Sequence, residues 1–512
     1  MIAFLALACT GPAPLPAGDP ARPDVLLISI DTLRADHVGA YGYERATTPR
    51  LDALAASGAR FSQMWSAAPW TLPSHATMLT GRLPLHHGAI EGDRSIDPGA
   101  PRLPQGFRDA GYAAIGVVST MYVSKKFGFD QGFDTFVDFG IDSEKKNLSG
   151  DVRAEQVFEE ALRLAREQAP GKPVFAFVHV YDVHYAYEPP SPWDEKFDRK
   201  TAPGDAKYKK YDWYAKHPLS ADQLEHQKAQ YDEEVAYVDD RLGTFVDAWR
   251  ASRTAYVAVT ADHGEEFGER GSWGHAHTLY PEQLHVPWVV SGPDVPAAVI
   301  DGRTGSEDLA ATLAGLAHVQ FDAGDGTDRS GQLRGGAYDG TRPAAQFAET
   351  SRFDTNRVRW HEPPYDLYAD LKTGALSLCD LSTDPTCAQD AAHAHPDTAF
   401  AMESAMYTWL GAPWTVNTIG QARSDGVFAV WGRRIDGDLQ ADVGAKFLLW
   451  PPDAALTFSD AGGEHGPWRA LGGPLPAPGD PLSYAGASVA GPGVTLDDAQ
   501  KKALEALGYV QE

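Results

Sequence analysis

Five short, almost wholly apolar runs separated by helical patterns constrain the fold of this chain more than any other feature. They are "DVLLISI" (24–30), "YAAIGVVS" (112–119), "PVFAFVHV" (173–180), "AYVAVTA" (255–261) and "VPWVVSG" (286–292). A strand with one wet face alternates polar and apolar residues. Runs without that alternation need cover on both faces, as strands of a parallel sheet have. Between them, "TPRLDALAASG" (48–58), "DVRAEQVFEEALRLAREQ" (151–168) and "QKAQYDEEVAYVDDRLGTFVDAWRAS" (227–252) are helical, with Val157, Ala161, Leu162 and Ala165 on one face of the second. This order predicts an α/β fold: a doubly wound, mixed or parallel sheet with helices on both faces.

Residues 185–226, rich in Pro, Lys, Tyr and Asp, read as a long loop near the carboxyl ends of the strands, where α/β sites lie. Beyond residue 340, "PYDLYADLKTGALSLCDLSTDP" predicts a smaller antiparallel sheet. Residues 451–493, rich in Pro, Gly and Ala, read as a loose connection, and "TLDDAQKKALEALGYV" as a capped terminal helix. The expected division is a tether over 1–22, an α/β domain over 23–335 and a C-terminal subdomain over 336–512.

Seventy acidic against 44 basic residues, a formal charge of −26, and the lack of any Lys/Arg-rich run argue against a nucleic-acid partner. Outside the extreme N-terminus no apolar run has the length of a transmembrane span. The start, "MIAFLALACTGPAPLPAGDPARPD", joins a short apolar run to a Pro/Gly/Ala-rich tether. It resembles the end of a bacterial lipoprotein signal, which makes Cys9 a lipid-anchor candidate and predicts export to the periplasm or cell surface; a plain N-terminal tail is the alternative. Cys379 and Cys387, eight positions apart, would be a disulfide in an exported protein or else a reduced buried pair.

Three polar clusters follow strand ends: Asp31 in "IDTLRADH"; Asp262 and His263 in "TADHGEEFGERGSWGHAHTLY"; and His179, Asp182 and His184 in "HVYDVHYAYEPP". A lone Asp at a strand end is more often a helix cap than a ligand, and His-Ala-His can be a plain surface loop. Three clusters converging with the Ser/Thr-rich turn "PWTLPSHATMLTG" (69–81) favour a site in which oxygen and nitrogen ligands hold a divalent cation for ester hydrolysis.

Residues 23–88, the "TADHGEEFGE…GHAHTLYPEQLHVP" block, "HVYDVHYAYEPP", "LCDLSTDP" and "LEALGYV" together resemble the sulfatase family of the alkaline phosphatase superfamily. The resemblance implies an alkaline phosphatase-like α/β core with a C-terminal antiparallel sheet. It implies metal ligands at Asp31, Asp262 and His263, with Thr71 at the nucleophile position and within reach of the metal. His275 and His184 would contact the ester or protonate the leaving oxygen. His75, His87, His179 and His277 would line the substrate.

The chain also departs from the family. Sulfatases carry Cys or Ser, converted to formylglycine, in Cys-x-Pro-Ser-Arg; here the motif reads Thr71-Leu72-Pro73-Ser74-His75, and Thr32 stands in place of a second Asp. Thr cannot become formylglycine, and a Thr-O-sulfate has no aldehyde hydrate through which to eliminate. A phospho-Thr can be cleaved by in-line attack. The donor set favours Zn²⁺ or Mn²⁺, with Ca²⁺ as the alternative. The expectation is a hydrolase of small-molecule or glycan phosphate esters. Sulfate-ester hydrolysis by metal-bound water and a catalytically inactive anion-binding protein are the rival readings. Asp182, His184 and His277 are candidates for a second metal site.

Overall fold

In the computed structural model of the chain, the five apolar runs all become strands. In chain order the strands up to Gly305 are β1 (Asp24–Ile30), β2 (Ala59–Trp65), β3 (Ala113–Val118), β4 (Thr135–Asp138), β5 (Val174–Val180) and β6 (Ala255–Thr260), then a small ribbon of β7 (Glu266–Phe267) and β8 (Trp273–Gly274), then β9 (Trp288–Ser291) and β10 (Ala298–Gly305), the five runs being β1, β3, β5, β6 and β9. The structure describes residues 14–139, 152–198, 213–214, 217–322, 324–337, 346–352, 356–370, 375–392, 394–410, 432–435, 438–441, 455–460, 463–469, 491–496 and 501. Cys9 and all of the expected terminal helix segment but Thr495, Leu496 and Lys501 lie outside them.

The main sheet runs in the order β10-β2-β9-β6-β1-β5-β3-β4. Every residue of β1, β3, β5, β6 and β9 is buried, as their unbroken apolar runs require. β9 is antiparallel to both β6 and β2, so of the two expected arrangements the sheet is the mixed one. An apolar run buried on both faces carries no record of its direction. Strands β2, β4 and β10, absent from the sequence reading, are partly exposed and lack an unbroken apolar run.

Helices pack in two groups. Pro49–Ser57, Ala154–Gln168 and Ala221–Arg250 touch one another, as do Thr71–Thr80, Leu103–Asp109 and Asp308–Leu316. The 30-residue helix starts at Ala221, inside the expected loop, because Ser220 and Gln223 form a reciprocal capping box. It also serves its neighbours: Asp239 accepts hydrogen bonds from the Arg50 and Leu51 N–H groups, both at 2.8 Å, and so caps the Pro49–Ser57 helix from a distance.

β11 (Gln346–Thr350), β12 (Arg357–Glu362), β13 (Tyr365–Asp370) and β14 (Ala375–Asp380) form a four-stranded antiparallel sheet. Phe347, Val358, Leu367 and Leu378 bury against Met402 and Met406 of the Pro396–Leu410 helix, and Ala67, Leu83 and Leu85 join the same cluster. Cys379 and Cys387 are disulfide-bonded. Within the expected loose connection, Ala455–Asp460 pairs with Gly463–Arg469, and just before it Gly432–Ile435 pairs with Asp438–Ala441. Among the described residues no helix is long and apolar enough to cross a membrane.

At the end of β1 remote from the polar clusters, Asp24 receives Arg253 Nε at 2.6 Å and Nη2 at 3.0 Å, Trp249 Nε1 at 2.8 Å and Val174 N at 2.8 Å. This carboxylate ties β1, β5 and the end of the long helix together. Asp24→Ala leaves a buried guanidinium uncompensated and should cost about 3–5 kcal/mol in denaturant unfolding.

Candidate active site

Strands β6, β1 and β5 are neighbours, so the residues past their carboxyl ends meet. Asp31 follows β1, Asp262 and His263 follow β6, and His184 follows β5, which itself carries His179. The first turn of the Thr71–Thr80 helix reaches the same point, with Thr71 Oγ1 3.5 Å from His263 Nε2. Asp31, Thr71, Asp262 and His263 expose no surface.

The protonation pattern identifies what this cluster lacks. His263 Nδ1 donates to the Gly264 carbonyl at 2.9 Å, so in the neutral ring Nε2 carries a lone pair. That nitrogen faces Asp262 Oδ2 at 3.2 Å and Asp31 Oδ1 at 3.7 Å, and neither oxygen receives a hydrogen bond. Three acceptors aimed at one buried point repel unless a positive charge lies among them; against the effect of burial, Asp262 and Asp31 accordingly raise the His263 pKa. A divalent cation fits this donor set, and Asp31, Asp262 and His263 have the spacing to hold one. Burial and the charge of Asp262 push Asp31 well above the usual carboxylate range. Burial also opposes ionisation of Asp262, but the His263 and His75 rings hold it below that range.

Two backbone features fix the carboxylates. A Cβ on Gly264 would stand 2.0 Å from the Glu282 carbonyl, so only glycine allows this approach beside His263. Thr32 lies at φ 53°, an unusual conformation for a β-branched residue. Its N–H donates to Asp262 Oδ1 at 3.3 Å, and its hydroxyl donates to the Val183 carbonyl at 3.0 Å. The Thr32 side chain thus anchors the His184 loop.

The remaining histidines separate by position. His184 and His275 meet with ring centroids 4.9 Å apart, and His275 lies 4.4 Å from the His263 ring. Nδ1 of His275 donates to Glu265 at 3.1 Å and Nδ1 of His184 to the Tyr185 carbonyl at 2.8 Å. Burial, then the neighbouring histidines, hold His275 well below its ordinary range, and burial takes His184 down to about 3. His179 Nε2 donates to Asp31 Oδ2 at 3.1 Å. His75 accepts from Ser29 Oγ at 2.9 Å and donates from Nδ1 to the Thr71 carbonyl at 2.8 Å. His87 accepts from Ala89 N at 3.1 Å and donates to the Pro73 carbonyl at 3.1 Å. His75 and His87 therefore brace the turn that carries Thr71, where substrate contact was expected of them. His277, less buried, bonds Ser272 Oγ and the His275 carbonyl, both at 2.7 Å.

Among the described residues, Asp182, His184 and His277 do not form a metal-ligand cluster; the second such grouping is His75, His179 and Asp262. Asp182 instead lies with Glu234, and Arg153 Nη1 stands 3.7 Å and 3.2 Å from their carboxylates. The sequence reading passed over Glu265, which orients His275, and Arg352, whose guanidinium lies 4.2 Å from the Trp70 ring centroid. Glu265 stands three residues past Asp262 and could have been suspected; Arg352 carries no local motif.

The sulfatase family profile matches residues 23–319. The chain belongs to the sulfatase family. It is 25% identical to the N-acetylgalactosamine-6-sulfatase of Canis lupus familiaris over 386 residues, covering 62% of this chain and 67% of that protein. It is 22% identical to the choline-sulfatase of Rhizobium meliloti (strain 1021) over 355 residues, covering 59% and 69%. Its fold resembles the phosphonate monoester hydrolase of Agrobacterium radiobacter, with TM-score 0.61, 20% identity and coverage of 76% of this chain and 95% of that one. It resembles a 2-O GAG sulfatase at TM-score 0.64, 18% identity and coverage of 76% and 92%. The family assignment makes this an enzyme hydrolysing sulfate or phosphate esters.

Two outcomes follow from this geometry. A divalent cation at 100 times its Kd should stabilise the protein by about 2.7 kcal/mol in thermal shift, and Asp262→Asn should remove most of that gain. Burial, opposed by Arg153, raises Asp182 from 3.8 to about 7, and burial with the Asp182 charge raises Glu234 from 4.5 to about 8. Raised carboxyl pKa values mean stability that is full below the unfolded values and lost as pH rises through the folded ones. Tm should therefore fall between about pH 4 and pH 8 in the wild type, and less steeply in Asp182→Asn.

Proposed function

We propose that the chain is an exported, metal-dependent hydrolase of phosphate mono- or diesters that uses Thr71 as its nucleophile. The observation that carries this reading is the Thr71 hydroxyl, 3.5 Å from Nε2 of His263, which groups with Asp31 and Asp262. Thr71 takes the place of the formylglycine precursor, and the oxidation that makes an aldehyde from Cys or Ser is closed to it. Attack by the side chain itself remains.

Thr71 Oγ1 gives up its proton, through water, to the unprotonated Nε2 of His275 and attacks phosphorus, and the bond to the leaving oxygen breaks on the opposite side. His275, with His184 beside it, passes that proton on from Nε2 to the leaving oxygen. Both rings are neutral in the resting site because they are buried, and negative charge growing on the leaving oxygen raises their basicity when the proton is needed. Glu265 keeps His275 Nδ1 protonated and the ring in register. The helix starting at Thr71 turns its first N–H groups towards the transferred group, where its dipole favours negative charge. Water then attacks phospho-Thr71, the P–Oγ bond breaks, and the hydroxyl regains its proton. A bound divalent cation, Zn²⁺ or Mn²⁺ on this donor set with Ca²⁺ as the alternative, would supply a Lewis acid that lowers the Thr71 pKa and polarises the ester. Asp31, Asp262, His263 and Thr71 would hold it.

Export is supported by the Cys379–Cys387 disulfide and by the lipoprotein-like start with Cys9. Sulfate-ester hydrolysis by metal-bound water is the second reading, and the sulfatases among the curated relatives favour it. Aryl phosphate, bis-aryl phosphate and aryl sulfate separate the two readings. Phosphate turnover should exceed sulfate turnover, and Thr71→Ala should lower it by about 10³-fold or more while metal stays bound. Thr71→Ser should retain part of the activity. Sulfate turnover surviving in Thr71→Ala would instead support the second reading.

A further inference from the structure

The wall of the site next to Thr71 is built by the C-terminal sheet. Where β11 ends, Thr350 Oγ1 donates to the Ala276 carbonyl at 2.8 Å, and Ala276 N donates to the Pro69 carbonyl at 2.9 Å. The strand end, the His275 loop and the Thr71 turn are thereby tied in one line. Ser351 Oγ donates to the Ile90 carbonyl at 2.9 Å and so fixes the next step of the chain. Arg352 then turns inward.

Its guanidinium lies 4.2 Å from the centroid of Trp70, the residue before Thr71, and Nη2 donates to Tyr122 Oη at 3.0 Å. Gly92 leaves room for this pair: a Cβ there would stand 2.6 Å from Nη1 of Arg352 and 2.9 Å from Tyr122 Oη and would displace these side-chain ends. Arg352 is 8% exposed. Its charge is felt at His275, where it is the one guanidinium among the groups that lower that ring's pKa. A planar cation held between two aromatic rings at a fixed place is a costly arrangement for a mere surface charge. It matches the fork geometry that carboxylates and oxyanions take.

We propose that Arg352, with Tyr122 and Trp70, is a specificity device that holds a second anionic group, a carboxylate or sulfate carried by the leaving group of the ester. This rests on the ester-hydrolase reading, in which His275 meets the leaving oxygen. A cation adjoining His275 then meets whatever that oxygen is attached to. Arg352 is placed with the leaving group, so its removal weakens recognition of the second anion, while its charge at His275 shifts the chemical step slightly and equally for esters with and without that anion.

The test compares phenyl phosphate with para-carboxyphenyl phosphate in the full-length metal-loaded protein, using wild type, Arg352→Ala and Arg352→Lys, with Tm recorded for each. Arg352→Ala should lower kcat/KM for the carboxylated ester by about 10- to 100-fold, mostly through KM, and change phenyl phosphate by less than about threefold. Arg352→Lys keeps the charge and loses the fork, and should fall between. Equal losses on both esters, or no loss on either, overturn the proposal. If wild type hydrolyses neither ester, the hydrolase reading falls, and calorimetric titration with benzoate and benzenesulfonate decides this one. Binding that is lost in Arg352→Ala sustains the anion site, and binding unchanged by the substitution overturns it.

Discussion

Two buried carboxylates and an unprotonated imidazole nitrogen face one point between the tips of β1 and β6, and the site depends on what resolves that repulsion. None of the residues involved has exposed surface, so bulk solvent screens their charges little. In such surroundings like charges interact far more strongly than in solvent. Protonating Asp31 or His263 would relieve the strain at the expense of the acceptor geometry. A divalent cation relieves it and keeps the geometry. Hydrogen bonds around the cluster stiffen it: His179 holds one oxygen of Asp31, Thr32 holds one of Asp262, and Gly264 accepts from His263. The oxygens Asp31 Oδ1 and Asp262 Oδ2 are the ones left aimed inward.

The sheet makes this arrangement mechanically sound. Asp31 and Asp24 stand at opposite ends of β1, and each end is tied to neighbouring elements through a carboxylate. At one end Asp24 is saturated by Arg253, Trp249 and Val174, and there the charges cancel. At the other end the charge is concentrated and awaits a partner. The strand therefore spans a structural ion pair and a functional one, and the first limits how far the second can move. The strained backbone at Thr32 sits at the junction, joined to both the Asp262 and His184 loops.

The central strands were legible because a strand covered on both faces leaves an unbroken apolar run, and the metal-ligand candidates were legible because Asp31, Asp262 and His263 directly follow such runs. The direction of β9 was not, since Trp288–Ser291 is equally apolar read either way. β10 was missed because five of its eight residues are partly or fully exposed. The roles of His75 and His87 were hidden for another reason: a histidine that braces a backbone and one that meets a ligand look alike until the partners of both ring nitrogens are known. Arg352 shows the same limit over a longer range. It lies 281 positions after Thr71, and only the register of the C-terminal sheet against the His275 loop brings it to Trp70.

Charge balance gives the phosphate reading a physical footing apart from the identity of the nucleophile. A further Asp at position 32 would bring three carboxylates to the cation; Thr32 leaves two, which only neutralise a divalent ion. The His75 and His179 rings add no positive charge, because burial keeps His75 near 3 and His179 near 4, well into the neutral form at ordinary pH. A cation less compensated by its protein ligands attracts a more highly charged ester more strongly. A phosphate monoester carries up to two negative charges at neutral pH and a sulfate monoester one. On the phosphate-ester reading proposed above, Thr32 would thus work in the same direction as Thr71: one would change the charge the site favours, and the other the bond by which it is handled.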